Sequence, residues 1–173
     1  MKKIISVFLA LFIMLIPVSC ADNAAKDTLP QTNRPFSAVL DIEIKDFSAD
    51  ANLTYRSSAS ATLEITSPKD LETLVFNLEG EELSAKYKGL DFPLADTNGQ
   101  AVSAARLIFS AIANAGNSKN AQIDKERDEF TVSGSVLSYN YEMEFDRMSG
   151  AIKSFTVPSQ DLEVEFENFR FLG

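Results

Sequence analysis

A curled antiparallel β-sheet wrapped around one helix, a mainly β (α+β) fold, is the architecture this sequence predicts. Three observations carry it. Apolar and polar residues alternate with period two through residues 36–87 and again through 129–171. A single intervening stretch, residues 99–116, changes to helical spacing. Turn pairs such as Glu79-Gly80 and Lys88-Gly89 punctuate the alternating runs. Period-two patterning with one apolar and one polar face marks antiparallel strands that bury one side only.

The elements follow in order. FSAVLDIEI puts Phe36, Ala38, Leu40, Ile42 and Ile44 on one face, with Asp41, Glu43 and Lys45 on the other. Ala49, Ala51, Leu53 and Tyr55 align in the next run; Ala61, Leu63 and Ile65 align in the third, which stops at Pro68. Leu74, Phe76 and Leu78 form a fourth set and Leu83, Ala85 and Tyr87 a fifth.

GQAVSAARLIFSAIANAG then predicts a helix of about four turns, apolar over most of its circumference. Asp96, Thr97 or Asn98 can cap its start, and Gly116 suits its end. Strands resume with EFTVSGSV, where Gly134 suggests a bulge. In LSYNYEMEF, Leu137, Tyr139, Tyr141, Met143 and Phe145 share a face. The loop Arg147-Met148-Ser149-Gly150 leads to AIKSFTVP and then DLEVEFENFRF. In that last run the apolar parity slips by one between Phe166 and Phe169, which predicts a bulge or twist near Glu167–Asn168. The total is about nine strands, five before the helix and four after it. A sheet of that size curls, and wrapping it around the helix covers its apolar face as a half-open barrel.

The chain opens differently. Lys2 and Lys3 precede an apolar run from Ile4 to Ile16, broken only by Ser6. Those thirteen residues fall short of the roughly 20 needed to span a bilayer core as a helix, and they fit a secretory signal. Pro17-Val18-Ser19 leads into Cys20, the sole cysteine. No disulfide can form within the chain. Three outcomes are open: lipidation of Cys20 with cleavage before it, ordinary cleavage after Ala21, or retention as an uncut anchor. Two acyl chains hold a protein on a membrane far better than one. The expected organisation is a signal peptide over 1–19, a lipid-anchored flexible tether over 20–35, and one domain over 36–173. Residues 21–35 are polar, with two prolines and only Leu29 large and apolar. The expected location is extracytoplasmic, on the cell membrane.

Composition narrows the function classes. Losing residues 1–19 removes two lysines and no carboxylate, so the net charge moves from −9 to −11. An acidic body argues against nucleic acid as a partner. The absence of histidine and of a second cysteine removes His-based acid–base chemistry, Ser-His-Asp and Cys-His nucleophiles and the usual zinc ligand sets. Glu163, Glu165 and Glu167 share a strand face, yet no calcium-loop signature accompanies them. No cofactor, metal or reaction is expected.

The lipobox-like PVSC, the strand run ending in Ser67-Pro68-Lys69-Asp70-Leu71, the central helix and the hairpin YEMEFDRMSGAIKSF together resemble the LolA/LolB-like lipoprotein-carrier superfamily. The resemblance spans residues 36–173 and rests on pattern and order. It implies a half-open antiparallel barrel around a helical lid, with acyl chains held between the two. The chain departs from the carrier in three ways. A polar tether replaces the helix before the first strand, the chain carries an anchor, and the lid is a single helix.

Two functions follow as expectations. One is non-catalytic binding of a hydrophobic ligand, an acyl chain or lipid, between sheet and helix. The other is docking of an envelope protein partner on a domain whose core is filled. For the first, the ligand-facing candidates on the early strands are Leu40, Ile42, Leu53, Tyr55, Leu63 and Phe76. On the helix they are Leu107, Ile108 and Ile112; on the late hairpin they are Tyr139, Tyr141 and Met143. Each fits a plain core equally well. Arg106 is either a headgroup contact or the solvated charge of the helix.

Overall fold

The structure is a computed structural model that describes residues 32–94, 99–116, 121–124 and 128–173. Six strands precede the helix: β1 (Phe36–Ile44), β2 (Phe47–Ser57), β3 (Ser60–Ser67), β4 (Val75–Glu79), β5 (Glu82–Tyr87) and β6 (Leu90–Pro93). Helix α1 (Gln100–Ala115) follows. Five more strands complete the chain: β7 (Ala121–Asp124), β8 (Glu129–Val136), β9 (Tyr139–Asp146), β10 (Ile152–Val157) and β11 (Leu162–Phe171). All eleven join one antiparallel sheet in the order β6-β5-β4-β3-β2-β1-β11-β10-β9-β8-β7. Two meanders therefore meet where β1 pairs with β11. The mainly β sheet with one helix is the fold expected. The strand number is eleven rather than nine, because β6 and β7, four residues each, are too short to display an alternation.

The alternation places the core as read. Phe36, Ala38, Leu40, Ile42 and Ile44 are buried on β1, and Ala49, Ala51, Leu53 and Tyr55 are buried on β2. The parity slip in β11 is real: the β1–β11 register shifts between Ser37 and Val39, and Asn168 takes a positive φ of 51°. The slip turns Phe169 inward onto Phe36, with ring centroids 4.6 Å apart. Phe36 in turn stacks on Tyr55 at 5.2 Å. Opposite this core the outer face is acidic, and Asp41 lies directly across from both Asp50 and Glu165.

Two local readings need correction. Gly134 makes no bulge; β8 and β9 pair without interruption from Glu129↔Asp146 to Val136↔Tyr139. The Tyr141 ring instead lies over Gly134, so close that a Cβ there would sit 2.6 Å from the ring. Leu137 does not face the core. It joins Ser138 in the β8–β9 turn, both at positive φ (50° and 71°), and is 56% exposed. That turn needs two left-handed residues to follow the twist of the strands, and here neither is glycine. Gly116 does end α1, though not through left-handed geometry: its φ is −63°. A close approach requires it, since a Cβ would fall 2.3 Å from the Oγ1 of buried Thr32. The expected caps Asp96, Thr97 and Asn98 lie outside the described residues.

Helix α1 packs chiefly on β8 and also on β1 and β2. Ala104, Ala105, Leu107, Ile108, Phe109, Ala111, Ile112 and Ala115 are all buried. Tyr141 donates its hydroxyl to Asn114 Oδ1 at 2.9 Å, tying β9 to the last helical turn. We expect Gly134→Ala to push the Tyr141 ring off this position and to cost about 2 kcal/mol in urea denaturation. A variant as stable as the parent would mean the ring moves aside freely.

Burial of Tyr55 raises its phenol from 10.0 to about 12. The neutral form is favoured in the fold, so this group's contribution is intact below pH 10.0 and is lost as pH rises to about 12. Tyr55→Phe should flatten the alkaline limb of a stability–pH curve, and an unchanged limb would exclude Tyr55 as its cause.

Candidate functional site

Helix α1 does not reach the whole inner face. The inward residues of the β4–β6 wing are Phe76, Leu78, Leu83, Ala85, Tyr87, Leu90 and Phe92, matched by the pairings Phe76↔Ala85, Leu78↔Leu83, Ala85↔Phe92 and Tyr87↔Leu90. Phe76 and Ala85 are buried, whereas Phe92 is 43% exposed and Leu90 63%. The apolar face thus outruns its cover, and a cavity opens at that border.

The segment between β3 and β4 forms one wall. Pro68 O accepts from the backbone N–H of Leu71 at 2.9 Å and of Glu72 at 3.0 Å, and Leu74 N–H donates to Leu71 O at 2.9 Å. These bonds fold the segment back on itself and point half-buried Leu71 and Leu74 at the wing. Tyr87 fastens it: its hydroxyl donates to Asp70 O at 2.6 Å. The first turn of α1 supplies Ala101 and Val102, and the end of β6 supplies Phe92 and Pro93, followed by Leu94. Arg106 fixes that end, since its guanidinium donates to the Leu94 carbonyl. The cavity is a half-open groove of about 450 Å³, and its lining is entirely apolar except for the Tyr87 hydroxyl.

Three other hollows are polar by comparison. Two of about 290 and 310 Å³ flank Arg106 and include Glu81. One of about 480 Å³ lies among Ser133, Asn140, Tyr141, Glu142 and Pro158. Among the described residues no group of three or more carboxylates is arranged to hold a metal ion, and no helix is long and apolar enough to cross a membrane.

Of the residues read from sequence as ligand-facing, Phe76 lines the apolar cavity. Leu40, Ile42, Leu53, Tyr55 and Leu63 are buried in the sheet interior. Leu107, Ile108, Ile112, Tyr141 and Met143 are buried around the helix, and Tyr139 is half-buried against the same core. Arg106 is used in pinning β6. The other lining residues, Leu71, Leu74, Ala85, Tyr87, Phe92, Pro93, Leu94, Ala101 and Val102, were not among the ligand-facing candidates, although Leu74, Ala85 and Tyr87 were read on apolar strand faces. Leu71 and Leu74 carried a faint signal, an apolar pair three apart directly after Pro68.

The chain matches no known family model and no curated protein sequence. Solved structures resemble it in fold. An uncharacterized conserved protein from Thermus thermophilus aligns with a TM-score of 0.50 at 11% identity, over 82% of this chain and 80% of that one. The LolA superfamily protein NE2245 from Nitrosomonas europaea aligns at 0.42 and 10% identity, over 87% and 90%. A domain named for outer membrane lipoprotein sorting, from Vibrio parahaemolyticus, aligns at 0.42 and 10%, over 80% and 85%. The likeness at these identities is one of fold.

Proposed function

We propose that this protein is a non-catalytic cell-envelope lipoprotein that holds a hydrophobic ligand, an acyl chain or lipid, between the β4–β6 wing and the first turn of α1. The apolar cavity of about 450 Å³ carries the reading. It falls within the roughly 300–1,000 Å³ range of small-molecule sites, and its one polar lining group already has a partner. Affinity comes from removing apolar surface from water. Each buried methylene contributes about 0.8 kcal/mol, so ten give a gross term near 8 kcal/mol before ordering costs. In this scheme residues 1–19 direct export, Cys20 carries the lipid anchor, and the chain to residue 35 spaces the domain from the membrane.

Native mass spectrometry on protein purified without detergent, followed by organic extraction, tests the reading. A bound mass that extracts as fatty acid or phospholipid supports it. An apo mass with no uptake of added fatty acid overturns it. That result would favour the docking of a protein partner, to which the packed centre of the domain and the acidic outer face are equally suited.

A further inference from the structure

We infer, building on that reading, that the cavity accepts one acyl chain and excludes two, so that the ligand is a single-tailed amphiphile such as a fatty acid or a lysolipid. Volume decides this. A methylene is close in size to a water molecule, whose share of liquid volume is about 30 Å³, so a cavity of about 450 Å³ holds roughly fifteen such groups. One chain of ordinary length fills it. A diacyl lipid brings about twice that volume and needs a second apolar compartment.

The packed centre of the domain provides none. Leu40, Ile108, Ile112, Met143 and Phe155 are all fully buried, and they occupy the space between sheet and helix where a second tail would lie. The remaining hollows expose carboxylates of Glu81, Glu82 or Glu142 to whatever enters them. A tail placed there strips water from charged groups.

The rim also suits one polar end. Lys88 stands in the β5–β6 turn with its Nζ 4.8 Å from the centroid of the Tyr87 ring, a lining residue. A carboxylate or phosphate left at the opening meets this ammonium, on a chain whose net charge is −9. Beyond the rim, exposed Leu90 continues the apolar face for the carbons nearest the headgroup.

The test is native mass spectrometry on the full chain, purified without detergent and stripped of bound lipid. The chain is titrated separately with palmitate, palmitoyl lysophosphatidylglycerol and dipalmitoyl phosphatidylglycerol. We expect one palmitate or one lysolipid per chain, bound at least about tenfold more tightly than the diacyl lipid. Whichever single-tailed ligand binds more tightly identifies the source of the chain. One diacyl lipid bound as tightly as palmitate would overturn the single-chain inference and leave the binding function standing. No uptake of any of the three would remove the binding function itself, and this inference with it.

Discussion

Ala101→Trp is expected to weaken uptake of a fluorescent fatty acid about a hundredfold while lowering the thermal unfolding midpoint by no more than about 3 °C. Ala101 sits in the first turn of α1, half-buried, on the wall of the cavity. An indole directed from that position occupies the space a chain would take, and the opposing wall of Phe76, Ala85 and Phe92 receives it. The substitution buries apolar surface in existing space, so it does not overpack a filled core. Its helix-propensity cost is under about 0.7 kcal/mol. A loss of affinity of about a hundredfold, roughly 2.8 kcal/mol, is the expected size. A fluorescence titration beside a melting curve reads both. Unchanged affinity in a folded variant would place the ligand elsewhere.

Ile108→Ala should do the reverse. Ile108 is fully buried in the middle of α1, within the packed interior. Truncation there removes three carbons from a site that cannot collapse easily, because Arg106, two residues earlier, holds the helix to Leu94 and Asn114 ties its last turn to Tyr141. The expected loss of stability is about 3 kcal/mol, in the range of large-to-small core substitutions. Fatty-acid affinity, measured well below the lowered midpoint, should stay within about a factor of two, or 0.4 kcal/mol. If affinity fell in step with stability, the chain would lie along the middle of the helix, as the sequence pattern alone suggested.

The contrast between these two residues marks what the sequence could convey. Period two identifies β1, β2, β3 and β9 and the residues that face inward on each, because a buried face imposes its alternation on the chain directly. It even discloses the slip at Glu167–Asn168, since a changed parity is a local event. The residues of β6 follow the same parity, yet four positions cannot establish a period. Leu137 misled for the opposite reason: an apolar residue in phase with its neighbours was spent on a turn.

The cavity was less legible still. Phe76 and Phe92 both point to the same side of the sheet, and only the extent of α1 decides that one is covered and the other left at a rim. That extent depends on how a helix lies across strands distant in sequence. Alternation records which face a residue is on. It does not record whether anything stands opposite. Candidate residues chosen by alternation therefore fell mostly in the packed centre, while the cavity formed at the end of the cover.

The pairing of β1 with β11 has a kinetic consequence. The middle of the sheet is made by segments more than a hundred residues apart, Phe36↔Phe171 at one end of the ladder and Ile44↔Leu162 at the other. During synthesis β1 can form its hairpin with β2 early, but its other edge stays open until residues 162–171 arrive. Closing so long a loop is entropically costly and slow, and contacts of that separation lower folding rates. The two meanders can each form from neighbouring strands, but the whole sheet closes only when nearly all of the chain has been made. For the export proposed above, this order of strands delays closure of the sheet until residues 162–171 have been made.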